Sequence, residues 1–145
     1  MKKILFVDLD GTILNSEKTI SERTREALKQ MLDAGHYLVA ASGRSIEDQK
    51  SVVEKWGLDN PCSYLLGFNG ALIHNCKTDQ TEKTFHIEKG YVKYLIEEAE
   101  KYGLHIQTYA SDGCVLAKSF PEGIESYLGG KKDFEIKYRE CEDIM

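Results

Sequence analysis

Short apolar runs, each closed by polar residues or glycine, alternate with helix-period segments through the first half of the chain. The run KILFVD, residues 3–8, is β-rich and stops at an acidic turn, which predicts a buried strand. GTILNSEKTI alternates loosely and predicts a small hairpin or flap. Ser21 then supplies an N-cap for a helix to about Ala34. Ala27, Leu28, Met31 and Leu32 recur at helical spacing within it, and Gly35 ends it. HYLVAAS is a second apolar strand. Ser45 caps a second helix reaching about Trp56, with Ile46, Val52, Val53 and Trp56 on its apolar side, and CSYLLGFNGA holds a third strand. Two successive strand–helix–strand units imply right-handed crossovers and a parallel sheet covered by helices.

Beyond Gly70 the pattern changes. ALIHNCKTDQTEKTFHI predicts two strands joined by a polar turn, with no helix between them. A charged helix follows from about Lys89 to Tyr102, with Val92, Leu95, Ile96 and Ala99 at helical spacing. LHIQTYA and GCVLAKS predict a strand pair joined by Ser-Asp-Gly. Pro121 begins a short helix, and DFEIKY is a last strand. The fold class expected is α/β. An incomplete Rossmann-like parallel core with helices occupies residues 1–84, and a partial α+β cap occupies residues 85–145.

Composition narrows the partners. A net charge of −5, with no basic cluster beyond Lys131-Lys132, argues against nucleic acid and anionic membrane. No segment approaches the roughly 20 apolar residues that span a bilayer. The opening MKKILFVD has too short an apolar run for a secretion signal, so a cytoplasmic location is expected. Cys62, Cys76, Cys114 and Cys141 lie far apart without metal-ligand spacing, as ordinary thiols do. The four histidines, His36, His74, His86 and His105, show no ligand spacing either, and GGKKD lacks the upstream glycine and trailing Ser or Thr of a P-loop.

Candidate chemistry sits at the strand ends, where the ligands of open α/β sheets bind. The first strand ends in Asp8-Leu9-Asp10-Gly11-Thr12, the second in Ser42-Gly43-Arg44, and the third in Asn69-Gly70. Crowding two carboxylates is costly unless a cation compensates. The bland alternative is an Asp-Gly turn, with Ser42 entering a helix, Arg44 pairing at the surface and Asn69 shaping a turn.

DLDGTIL resembles the first motif, D-x-D-G-T, of the haloacid dehalogenase-like phosphohydrolases. AASGRS and GFNGALI resemble the second motif and the N-G-A segment of their Cof-type branch. The resemblance implies a Mg²⁺-dependent phosphate monoester hydrolase. Asp8 would be the nucleophile that forms an aspartyl-phosphate and a ligand of Mg²⁺. Asp10 would be the acid and base, and its main-chain carbonyl a second metal ligand. Leu9, Ser42, Gly43, Arg44 and Asn69 would contact substrate, a small phosphorylated metabolite of the sugar-phosphate class. The family's third motif, a lysine, and its fourth, an acidic cluster, lie after the cap and have no counterpart in this sequence. The expectation is therefore weak or absent activity for the chain alone, with a homodimer or a second chain completing the sheet. Two other readings stand beside it: a non-catalytic remnant that binds phosphate or metal weakly, and a phospho-acceptor domain of the receiver type. The strand pair and helix inserted after residue 70 disfavour the latter.

Overall fold

The computed structural model describes residues 1–58, 62–110, 114–122 and 138–141. The Ser-Asp-Gly turn, nearly all of the short helix expected after Pro121, and residues 133–137 of the last expected strand lie outside them. The chain divides into two compact units, Met1–Phe85 and His86–Met145.

In the first unit a five-stranded sheet runs in chain order. Strands β1 (Ile4–Asp8), β2 (Tyr37–Ala41) and β3 (Tyr64–Gly67) are parallel. Strands β4 (Leu72–Asn75) and β5 (Gln80–Thr84) join antiparallel, with a bulge between Ile73 and His74. Helix α1 (Glu22–Asp33) links β1 to β2, and α2 (Ile46–Glu54) links β2 to β3.

Local chemistry explains the boundaries. The Ser21 side chain accepts from Thr24 N, capping α1, and Gly35 at φ +75° takes the left-handed position that ends it. Ser45 accepts from Asp48 N in the same way at the start of α2. Successive strand residues point to opposite faces. Val7, Leu38, Ala40 and Leu65 therefore share one face, where they pack with Leu28 of α1 and with Ile46 and Val53 of α2, beside Trp56. Each fully buried Leu, Ile or Val among them contributes about 1.5–3 kcal/mol. Of the hairpin or flap expected in GTILNSEKTI, the hairpin does not form, since no strand lies between β1 and α1. An isolated bridge joins Asp10 and Leu14, and Asn15 organises a turn by accepting from the N–H groups of Glu17 and Thr19. Five residues of side-chain-anchored turn leave no room for a ladder.

In the second unit, α3 (Lys89–Lys101) buries Ile96. Strand β6 (Thr108–Tyr109) pairs antiparallel with β7 (Val115–Ala117), and β8 (Tyr138–Glu140) pairs parallel with β7. Cys114, Val115 and Ala117 are buried, and Lys118 pairs with Glu100 of α3.

Candidate active site

Register alone brings the three strand ends together. Asp8 stands opposite Ala41, and Ala41 opposite Leu66, so the residues that follow leave the sheet side by side. Main-chain bonds then stitch the second and third loops. Ser42 N donates to Leu66 O at 3.0 Å, Asn69 N to Ser42 O at 3.0 Å, and Phe68 N to Arg44 O at 3.0 Å. Gln49, fully buried on α2, donates through Nε2 to Arg44 O at 3.2 Å and to Leu66 O at 2.9 Å. Phe68 and Asn69 both hold positive φ, 51° and 57°, a conformation that persists only where surrounding bonds enforce it. Gly43 lies so close to Asn69 that a Cβ there would sit 3.2 Å from the Asn69 amide oxygen. The Ser42 hydroxyl accepts from Arg44 N at 3.3 Å, which keeps its own hydrogen available for a ligand.

The first loop sorts its residues by alternation. Leu9 is 0% exposed and packs into the core, as does Leu14, while Asp8 and Asp10 on either side of Leu9 turn outward. Leu9 therefore offers a ligand only its main chain. Gly11 at φ +76° turns the chain, and Leu14 N donates back to Leu9 O at 3.0 Å.

The two carboxylates occupy different electrostatic settings. Asp8 accepts from the Thr12 hydroxyl at 3.0 Å, and no cationic side chain among the described residues pairs with it. Asp10 is clamped. Arg44 binds it with Nε at 2.6 Å and Nη2 at 2.8 Å, and Lys18 Nζ reaches it at 2.8 Å. Asp48 holds the third nitrogen of the same guanidinium at 2.7 Å. The Arg44 hydrogen bonds hold the Asp10 carboxyl far below the usual carboxylate range, with Lys18 adding to the effect against a partial desolvation. The guanidinium's own proton affinity rises in return, chiefly through Asp10. Arg44 is more than a surface pair: its side chain is only 12% exposed and grips Asp10.

Asp8 and nearby main-chain oxygens are hard donors suited to Mg²⁺, and the Asp8 carboxylate is not committed to a cation. The Asp10 side chain is committed, so its contribution to a metal would be its main-chain carbonyl. Among the described residues no group of three or more His, Cys, Asp or Glu side chains is placed to hold a metal. The donor set fits Mg²⁺ in kind and falls short in number.

Three contributors, Gln49, Asp48 and Lys18, escape a sequence reading of the motifs. Gln49 carried a signal, being a polar residue in the apolar stripe of α2, between Ile46 and Val53. Asp48 stands four residues after Arg44, an ion-pair spacing on a helix. Thr12, inside the D-x-D-G-T motif, donates its hydroxyl to Asp8 and so supports that carboxylate. Lys18 carried no signal, because a turn eight residues from Asp10 brings it back.

The family model for haloacid dehalogenase-like hydrolases matches residues 5–144. The 5-amino-6-(5-phospho-D-ribitylamino)uracil phosphatase YitU of Bacillus subtilis is 32% identical over 104 residues, which is 70% of this chain and 37% of that protein. The YcsE phosphatase of B. subtilis, named for the same compound, is 26% identical over 135 residues, 93% of this chain and 52% of that protein. A haloacid dehalogenase-like hydrolase from Bacteroides thetaiotaomicron superposes with a TM-score of 0.76 at 28% identity, covering 99% of this chain and 52% of its own. The chain thus spans about half the length, or less, of these relatives. Motif, strand-end geometry and family match agree: the chain belongs to the haloacid dehalogenase-like hydrolases.

Proposed function

We propose that the chain carries the nucleophile half of a Mg²⁺-dependent phosphatase acting on a small phosphate monoester. The observation that carries this reading is the asymmetry of the acid pair. Asp8 is exposed and unclaimed by any described cation, while Asp10, two residues on, is held by Arg44 and Lys18. One carboxylate is thereby left for attack, and the other, held ionised until its clamp is released and it takes up a proton, serves proton transfer. Bound Mg²⁺, held by Asp8 and the Asp10 carbonyl, supplies positive charge against the phosphoryl oxygens.

An Asp8 oxygen attacks phosphorus, and the bond between phosphorus and the ester oxygen breaks. The departing alkoxide takes a proton from the Asp10 carboxyl, leaving an alcohol and an aspartyl-phosphate. Asp10, now a carboxylate, takes a proton from a water as that water attacks phosphorus. Inorganic phosphate leaves and Asp8 is restored. Ser42 donates its hydroxyl hydrogen, and Gly43 its N–H, to the phosphoryl oxygens throughout. Asp10 can hold the proton it donates only once Arg44 and Lys18 let go, and a phosphate dianion is the competitor that draws both cations away. Asn69, tied to the Ser42 loop through its N–H, would contact the substrate beside it.

The named substrate of the YitU and YcsE relatives supports a phosphorylated sugar or sugar alcohol as the substrate class. No helix among the described residues is long and apolar enough to cross a membrane, and we place the reaction in the cytoplasm. Because the donor set for metal is short, activity of the chain alone is weak or absent, and a homodimer or a second chain completes it. The test is release of phosphate from p-nitrophenyl phosphate at high protein concentration, with and without Mg²⁺. Slow, Mg²⁺-dependent release that vanishes in Asp8→Asn supports the reading. Release that survives in Asp8→Asn overturns it.

A further inference from the structure

Four side chains of alternating charge are bonded in a row: Asp48 to Arg44 at 2.7 Å, Arg44 to Asp10 at 2.6 Å, and Asp10 to Lys18 at 2.8 Å. Exposure rises along that row. The Arg44 and Asp48 side chains are 12% and 24% exposed, those of Asp10 and Lys18 37% and 47%. An ion pair weakens as water reaches it. The bond between Arg44 and Asp48 is therefore the firm one, and the Asp10 end is the one that exchanges.

The atoms used divide in the same way. Main-chain bonds fix the base of Arg44: its N–H donates to the Ser42 hydroxyl, and its carbonyl accepts from Phe68 N and Gln49 Nε2. Asp48 lies in the first turn of α2, where Ser45 Oγ accepts from its N–H. From there its Oδ2 takes only Nη1 of the guanidinium. Nε and Nη2 form the other side, a planar fork that suits a carboxylate or a phosphate equally well. Asp10, from a different loop, fills that fork.

We propose that Asp48 is a positioning residue, which keeps the Arg44 fork at the crevice while Asp10 yields its place there to a phosphoryl group. Without Asp48, an Arg44 released by Asp10 is a long side chain with several free torsions, and the incoming anion has to order it. With Asp48, the order is built in before the anion arrives, and preorganisation of that kind raises affinity. Asp48 acts here as a hydrogen-bond acceptor. Its charge works the other way, because it repels the anion that its bond helps to hold. The inference rests on the proposed reaction for the identity of that anion.

The test titrates the chain with inorganic phosphate and follows the Gly43 N–H and Arg44 Nε–H signals by NMR. Wild type is compared with Asp48→Ala and Asp48→Asn. Both substitutions remove the charge, which by itself tightens phosphate binding, and both lose its favourable place in the first turn of α2. Only Asp48→Asn keeps a side-chain oxygen for Nη1. Asp48→Ala is expected to weaken phosphate binding by ~5-fold or more, the effect of leaving one long side chain to be ordered. Asp48→Asn is expected to bind phosphate as tightly as wild type, or more tightly. Equal affinities in the two variants overturn the proposal, since charge alone then accounts for Asp48. Affinity that is unchanged in Arg44→Ala overturns it too, as does a wild type with no response at ~30 mM phosphate, where even a millimolar site is filled. The expected pattern without Mg²⁺-dependent release from p-nitrophenyl phosphate counts against the reaction and leaves the positioning role standing. Release that vanishes in Asp8→Asn, with equal phosphate affinities in the two Asp48 variants, does the reverse.

Discussion

Asp10 shows how far a single side chain can be moved from its ordinary behaviour by its neighbours. Its carboxyl is held down by the Arg44 fork and by Lys18, and the group is one whose folded-state pKa is depressed. The stability it contributes is therefore present above the ordinary carboxylate value, about 3.9, and is lost only as pH falls well below that. Its side chain is 37% exposed, so solvent screening keeps the contribution to about 1 kcal/mol or less. The Asp10 Cγ chemical shift should stay flat in a carbon NMR titration from pH 7 down to about 3, whereas Arg44→Ala should return the midpoint toward the ordinary value of about 3.9. A midpoint unchanged by Arg44→Ala would show that the clamp is not what holds the charge. Cys62 illustrates the opposite shift. Burial, with a smaller push from Cys76, raises its thiol to about 12, so hardly any thiolate exists at neutral pH. It should react with a disulfide reagent at pH 8 only on the timescale of unfolding, and the half-buried Cys76 sooner, as read by mass spectrometry of the labelled protein.

At the scale of elements, helix α2 couples the second and third loops through one polar side chain. Gln49 gives the Arg44 and Leu66 carbonyls a second bond beside those from Phe68 N and Ser42 N, and it does so from full burial. Gln49→Ala removes two hydrogen bonds while each carbonyl keeps its main-chain donor, so a loss of about 1–3 kcal/mol is expected in denaturant unfolding. Amide exchange at Phe68 and Asn69 should quicken too, because their left-handed conformations depend on that stitching. Much of this layout was legible in the sequence. Ser21 and Gly35 bracket α1 because cap chemistry is local, and the apolar spacing of α2 depends on no distant partner. The hairpin expected in GTILNSEKTI failed because Asn15 offers its side-chain oxygen to two nearby N–H groups, a turn that outcompetes a ladder. The antiparallel addition of β4 and β5 to the same sheet could not be read, since strand partners are chosen by contacts distant in sequence. Lys18 stayed hidden for the same reason: its role is fixed by where a loop returns.

The first unit has a charged edge strand, β5, and an apolar, exposed one, β1, and this asymmetry predicts which side associates. An apolar edge strand with both main-chain groups and side chains exposed is a template for pairing with other chains. Phe6 is exposed, so Phe6→Lys removes apolar area from the open face without creating a cavity, and surface changes of that sort shift stability by about 0.5 kcal/mol or less. Leu38 lies on the other face of the neighbouring strand and is fully buried, so Leu38→Ala should cost about 2–5 kcal/mol. The pair separates two properties that usually move together. Phe6→Lys should raise the concentration at which light scattering detects association while leaving the urea midpoint in place. Leu38→Ala should lower that midpoint and increase association, because it populates unfolded chains. If Phe6→Lys instead lowered the midpoint as Leu38→Ala does, the β1 face would be part of a packed core, and the asymmetry between the two edges of the sheet would have no consequence for partners.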